Sequence, residues 1–375
     1  MRIGILTLPL FANYGGILQA YALQTVLERM GHEVYHITKI WEPFSLPAYL
    51  KPFCYGKRII KNLFGYKTPI LYEKKCRIEQ EMSMIYTSQF IDKYIKKRTY
   101  KNYSTILPYE YDAIVVGSDQ IWRPIYFGIN DIEQAYLKFA ENWDIKRIAY
   151  AASFGTNEWE YTPEQTAKCC KLANQFNKIS VRESSAVPLC QKHFNIKPEF
   201  VLDPTMLLNK KDYIELIYRK NDIIQKSGNL FYYILDETKE KKDLIEKIAI
   251  QRNLQPFKSN AKCDDPKAPI TERIQPPIED WLRGFMDAEL VITDSFHGCV
   301  FSIIFNKPFI AICNKNRGQA RFESLLNLFS LQNRLIDISS PSPIIPSEAI
   351  DWDNVNSTMK HMKENSVQFI IDNIS

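Results

Sequence analysis

Residues 2–38, RIGILTLPLFANYGGILQAYALQTVLERMGHEVYHIT, hold the pattern that decides the fold. Ile3–Leu8 is an apolar run of strand length, and Pro9–Gly16 follows it as a loop. From about Ile17 to Met30, the residues Leu18, Ala22, Val26 and Met30 recur four apart, which places them on one face of a helix. Gly31 stands where a helix commonly ends on a left-handed residue, and Glu33–Thr38 reads as a second strand. Strand, helix and strand of these lengths make a βαβ unit, whose crossover implies a parallel sheet.

Outward from that unit the alternation continues. The basic segment 41–110 interrupts it and reads as an insertion carrying helices. Asp112–Val116 returns as a central strand and is followed by Gly117-Ser118-Asp119-Gln120. The strand Arg147–Phe154, a helix over about Pro163–Phe176, and the strands Ile179–Arg182 and Phe200–Leu202 complete an N-terminal α/β domain, residues 1–208. Polar residues 209–228 read as a linker. A second set of strands (Asn229–Leu235, Glu289–Thr293, Phe309–Ile312, Leu335–Ile338) alternates with helices over about 239–252, 278–288, 295–305 and 321–331, giving a C-terminal α/β domain, 229–350. In 351–375, Trp352, Val355, Met359, Met362, Ile370 and Ile374 lie near helical spacing and predict a last helix that packs back on the N-terminal domain. The expected class is therefore α/β, with two Rossmann-like domains facing across a cleft. Ligands of such folds sit beyond the carboxyl ends of the strands.

Composition agrees. A chain of 375 residues suits two domains, and 45% hydrophobic with 24% charged residues excludes disorder. No run approaches the roughly 18 apolar residues of a membrane helix. The first residues have one basic residue and no small-residue cleavage pattern, so they read as a strand rather than a signal peptide, and a cytoplasmic location is expected. The eight cysteines form no C-x-x-C pair, which argues against zinc and a disulfide framework. Net charge is +5, but Lys51–Lys101 alone holds 13 basic and 4 acidic residues, leaving the remainder acidic. Aromatic residues are interleaved with this patch. It suits an anionic partner, either a lipid-pyrophosphate substrate or an anionic membrane surface, or else a solvated helical face. No helix-turn-helix, zinc finger or RNA-recognition signature accompanies it, so nucleic acid is not expected.

Three loops at strand ends carry candidate chemistry. Asn13-Tyr14-Gly15-Gly16 offers small residues where backbone N–H groups can approach an anion or sugar, or simply a strand-to-helix turn. Ser118 and Asp119 follow an apolar strand, where the carboxylate can act as a base or cap a helix. Asp294-Ser295-Phe296-His297-Gly298 is the most informative, because His297 sits in the first turn of a helix that disfavours imidazolium unless an anion is bound. Gly298 is expected to let a ligand approach. Arg182, at a strand end and followed by Glu183, suits bidentate recognition of carboxylate or phosphate, and Arg321, near Glu323, can add charge.

The segments NYGGILQAYALQ (13–24), YDAIVVGSDQIW (111–122), RIAYAASFG (147–155), SVRESSA (180–186), VLDPTMLL (201–208), ITDSFHG (292–298), FNKPFIAI (305–312) and RFESLL (321–326) together resemble the polysaccharide pyruvyl transferase family. The resemblance implies a GT-B-like pair of domains and transfer of pyruvate from phosphoenolpyruvate to the hydroxyls of a surface polysaccharide or its lipid-linked precursor, as a ketal, with no cofactor or metal. It implies that His297 protonates the methylene carbon and that Arg182 holds phosphate or carboxylate. Many members carry Arg where this chain has Ser295, so either Arg321, Arg317 or Lys315 would compensate or the donor would bind more weakly. Asp119, Glu183 and Asp294 are candidate bases. The alternatives are a glycosyltransferase using a nucleotide sugar, with Glu323 on the ribose, and a non-catalytic sugar- or anion-binding protein.

Overall fold

The computed structural model describes residues 1–40, 46–220, 228–263, 265, 267–314, 318–340 and 344–374. It holds two wholly parallel sheets. The first is built from β1 (Arg2–Leu6), β2 (Glu33–Lys39), β3 (Lys97–Tyr100), β4 (Ala113–Val116), β5 (Lys146–Ala152), β6 (Lys178–Val181) and β7 (Glu199–Phe200), in the order β3-β2-β1-β4-β5-β6-β7. The second is built from β8 (Leu230–Tyr233), β9 (Pro256–Phe257), β10 (Leu290–Thr293), β11 (Phe309–Ile312) and β12 (Leu335–Ile336), in the order β12-β11-β10-β8-β9. Both orders are those of doubly wound sheets. The strand order reverses between β1 and β4 in one and between β8 and β10 in the other, and these crevices are where such folds bind ligands. Central strands β4 and β11 are unbroken apolar runs, and β1 and β10 are buried at every residue but Arg2, because helices cover both faces of their sheets.

Several elements differ from the sequence reading. The first helix is Tyr14–Arg29 and starts three residues early, because the Asn13 side chain caps it by accepting from the Gly16 N–H at 3.2 Å. Gly15 and Gly16 therefore lie in the helix and not in a loop. The insertion 41–110 does carry helices (Lys51–Leu63, Tyr72–Ser83, Ile85–Tyr94), but it also supplies β3, which pairs with β2 and extends the sheet. The segment read as a linker contains the helix Lys210–Tyr218, which buries Tyr213, Leu216 and Ile217 and lies against the helix Ile278–Asp287. Residues 221–227 of that segment lie outside the described residues. The last helix, Trp352–Ile374, rests on the first unit: Ser366 Oγ accepts from the Leu202 N–H at 3.0 Å, and Phe369 meets the Tyr150 ring.

One apolar core runs through both units. Tyr14, at the start of the first helix, packs against Trp281 (ring centroids 5.2 Å apart) and Tyr233 of the second unit, and its hydroxyl donates to the Pro276 carbonyl at 2.7 Å. Tyr14 was expected to touch substrate; it is instead a fully buried joint between the units. The Ser184 N–H donates to Ser324 Oγ at 2.8 Å, closing the same interface on its other side. The crevices of the two sheets thus face each other at close range.

Candidate active site

The loops after β4, β6, β7 and β10 converge on one buried cluster. Asp119 follows β4 with a φ of 62°, a conformation that is uncommon for a residue with a side chain. Just before it Gly117 has a φ of 130°, and a Cβ there would stand 2.0 Å from the Tyr150 carbonyl oxygen, so only glycine lets this loop turn. Arg182 follows β6. Its Nη1 donates to Asp203 Oδ2 at 2.7 Å and its Nη2 to Asp119 Oδ1 at 3.1 Å. Asp203 follows β7, and its other oxygen accepts from the Thr205 N–H at 3.0 Å and the Thr205 hydroxyl at 2.7 Å. From the second unit, His297 Nε2 stands 3.5 Å from Asp203 Oδ2, and Arg321 Nη1 stands 3.8 Å from Asp119 Oδ1. The Phe296 ring lies under both guanidinium groups, with Cζ-to-centroid distances of 4.6 Å for Arg182 and 5.3 Å for Arg321.

Burial opposes ionisation of Asp203, but His297, Arg182 and Thr205 outweigh it and hold the carboxyl well below the usual carboxylate range. Asp119 is likewise held low against its burial, by the charges of Arg182, His297 and Arg321. Arg321 is the strained partner: burial, and then the neighbouring Arg182, push it down to about 10, with Asp119 and Glu183 acting the other way. A further anion beside Arg321 would relieve that cost. The space exists, because a cavity of about 110 Å³ is lined by Asn13, Asp119, Ser295, Phe296, His297 and Arg321, among others.

The expected site residues divide sharply. His297, Asp119, Asn13, Asp294, Ser295, Phe296 and Arg321 meet at the cavity. Arg182 does not line it; both of its terminal nitrogens donate to the two aspartates, so it positions them. Ser118 is buried, with its hydroxyl donating to the Ala151 carbonyl and its N–H to Gln19. Asp294 is no base. One oxygen accepts from the Leu235 N–H, and the other from the Asp236 N–H, Lys241 Nζ and Asn314 Nδ2, which ties the ends of β8 and β10 together. Glu183 accepts from the N–H groups of Phe154 and Gly155. Gly298 does not open the way for a ligand, since a Cβ there would meet Thr293 Oγ1 at 2.1 Å. Gly15 is not an anion cradle either; it makes room for the imidazole, and a Cβ there would stand 1.9 Å from His297 Nδ1. Gly16 is part of the cap. Glu323 accepts from Gln319 rather than facing the cavity. Lys315 and Arg317 lie outside the described residues. Sequence reasoning missed Asp203, although the rule that picked out Asp119, a carboxylate closing a strand, applies to it equally. Among the described residues no three metal-ligating side chains cluster.

Comparison with known proteins gives three results. No curated protein sequence matches the chain. Among solved structures, the UDP-GlcNAc 2-epimerase from Neisseria meningitidis bound to UDP-GlcNAc is 9% identical, over 100% of this chain and 99% of that one, with a TM-score of 0.49. UGT89C1 of Arabidopsis thaliana complexed with UDP-L-rhamnose is 10% identical, over 97% and 89%, with a TM-score of 0.47. The E. coli heptosyltransferase WaaC with ADP is 12% identical, over 97% and 100%, with a TM-score of 0.37. The third result is a family model, polysaccharide pyruvyl transferase, that matches residues 13–316. That span begins at the residue capping the first helix and takes in Asp119, Arg182, Asp203 and His297, leaving Arg321 just beyond it. The chain belongs to the polysaccharide pyruvyl transferase family, transferases that modify polysaccharide.

Proposed function

We propose that the protein transfers the enolpyruvyl carbons of phosphoenolpyruvate to two hydroxyls of a saccharide, as a cyclic ketal. The observation that carries the reading is the meeting of His297 and Arg321, from one unit, with Asp119 and Asp203, from the other, around a single small cavity. In this reading Arg321 takes the donor's phosphate or carboxylate. His297, whose Nε2 stands 3.5 Å from Asp203 Oδ2, gives its proton to the methylene carbon. Positive charge then falls on the neighbouring carbon, where one sugar hydroxyl adds. A second hydroxyl displaces phosphate, and the two hydroxyl protons leave, one to restore the imidazolium and one with the phosphate. Of the two aspartates at the cavity, Asp294 is held by four donors, and Asp119 is the one that can take a hydroxyl proton.

Size favours this donor over a nucleotide sugar. A cavity of about 110 Å³ suits a molecule of few heavy atoms, whereas larger organic ligands occupy about 300–1,000 Å³. A second cavity, of about 820 Å³, lies past the carboxyl ends of β1, β2 and β3 and shares Leu8 with the first. Phe11, Thr38, Lys39 and Tyr103 are among its lining residues, and it supplies the room and the mixed polar and apolar walls that a saccharide acceptor needs. A lipid-pyrophosphate carrier on that acceptor would find cations in Lys39, Lys97 and Lys101.

Turnover in D2O tests the mechanism: one deuterium should appear in the product methyl group, and a methyl group without deuterium would reject protonation by an exchangeable acid. His297→Ala should lower kcat by roughly a hundredfold or more while the protein stays folded. Calorimetric titration is the companion measurement. Phosphoenolpyruvate should bind, and tight binding of UDP- or GDP-sugars in its place would transfer the assignment to glycosyl transfer.

A further inference from the structure

The helix Lys51–Leu63 buries none of its residues, yet it is firmly built. It forms a hairpin with the helix Tyr72–Ser83 that is held together by polar bonds. Arg58 donates to both oxygens of Glu73, at 2.9 and 2.6 Å, and to the Ile70 carbonyl at 2.9 Å. Asn62 and Thr68 exchange two hydrogen bonds of 2.8 Å. At 100° per residue, Arg58 and Asn62 share one face of the helix, the face turned to its partner. The opposite face carries Phe53, Ile59, Ile60 and Leu63 and continues into Phe64. There Phe53 is 72% exposed, Leu63 82% and Phe64 78%. A face of this kind is not left in water without a reason. Its flank is cationic. Lys57 and Lys61 border the apolar arc, and residues 46–72 hold five basic side chains and no acidic one.

We propose that this helix lies in the interfacial plane of a bilayer bearing anionic lipid headgroups, its apolar face among the acyl chains and its lysines on the phosphates. The charge decides between occupants. A second copy of the chain would set Lys57 and Lys61 against their own counterparts, and like charges would repel, whereas an anionic leaflet attracts each lysine near its surface; Arg58 adds nothing there, being paired with Glu73. The inference is independent of the reaction assigned to the cavity. No helix among the described residues is long and apolar enough to cross a membrane, so attachment would be peripheral.

Co-sedimentation of the full chain with vesicles tests this. The protein should pellet with phosphatidylcholine vesicles containing phosphatidylglycerol, far less with phosphatidylcholine alone, and less as salt rises. Two double variants should each lower the partition coefficient by roughly tenfold or more: Phe53→Ser with Leu63→Ser, and Lys57→Glu with Lys61→Glu. Because none of these side chains is buried, both variants should keep the parent melting temperature and full transfer to a short water-soluble acceptor. Failure of the parent protein to pellet with phosphatidylglycerol vesicles at low salt would overturn the proposal. So would a stable dimer in solution that the Phe53 and Leu63 substitutions dissociate, since the face would then be covered by another copy.

Discussion

Asp203 is the residue through which the two halves of the candidate site act on one another. One of its oxygens accepts from Arg182 and faces His297 Nε2 at 3.5 Å, too long for a strong hydrogen bond but close for two charges, while the other is locked by Thr205. A carboxylate held ionised so far below its ordinary range cannot itself be the acid at neutral pH. Asp203→Asn removes the charge beside His297 and an acceptor of Arg182, and should lower kcat by roughly tenfold or more while the protein stays folded. Steady-state kinetics beside a thermal melt check this, and a variant of parental kcat would remove Asp203 from the chemistry and leave it a structural partner of Arg182. The position of Asp203 was legible, since the strand expected over Phe200–Leu202 ends just before it. Its partners were not, because Arg182 and His297 reach it from other strand ends and no local pattern encodes that meeting.

Between elements, the decisive contact is the first turn of one helix against the first turn of another. Gly15 opens Tyr14–Arg29, His297 opens the helix Phe296–Ile304, and the imidazole packs where a Cβ on residue 15 would be. Gly15→Ala should therefore displace the ring by about an ångström and lower kcat by roughly a hundredfold, although residue 15 does not line the cavity. Gly298→Ala crowds the Thr293 side chain instead and should cost about 1–3 kcal/mol of stability. Steady-state kinetics beside thermal melts separate the two, and a Gly15→Ala enzyme of parental kcat would show that the ring has room to yield. At this scale, legibility follows length. The buried strands and their intervening helices are visible as apolar runs and four-residue spacings. β3 and β9 are not, because four and two residues at a sheet edge carry too little pattern, and Lys and Arg in β3 look like the basic insertion around them. The helix Lys210–Tyr218 was hidden by its charge, although Tyr213, Leu216 and Ile217 keep the spacing of a buried stripe.

For the whole molecule, the parallel sheets and their facing crevices follow from the βαβ pattern. How tightly the units join does not, because Tyr14 against Trp281 is a contact between residues 267 positions apart that no local pattern encodes. That joint makes the apolar core between the units continuous, although each sheet keeps a second core on its other side, so a cost in the shared core falls on the folding of both. His36 supplies a measurable one. It sits in β2 between β1 and β3, and burial pushes its pKa from 6.5 down to about 4. The unfolded chain takes up this proton as pH falls through 6.5, while the folded chain refuses it until about 4. The stability linked to His36 is thus fully present above pH 6.5 and is lost on acidification through that window, by about 3 kcal/mol in all. The buried aspartates do not act there, since a depressed carboxyl loses its contribution only below about pH 3.9. Denaturant unfolding at several values from pH 7 to pH 4 should show a single transition for both units, with a midpoint that falls as pH falls. His36→Leu, which removes the proton site at similar volume, should flatten that slope. Two separated transitions would show that the joint does not couple the units, and an unchanged slope in the variant would place the titrating group elsewhere.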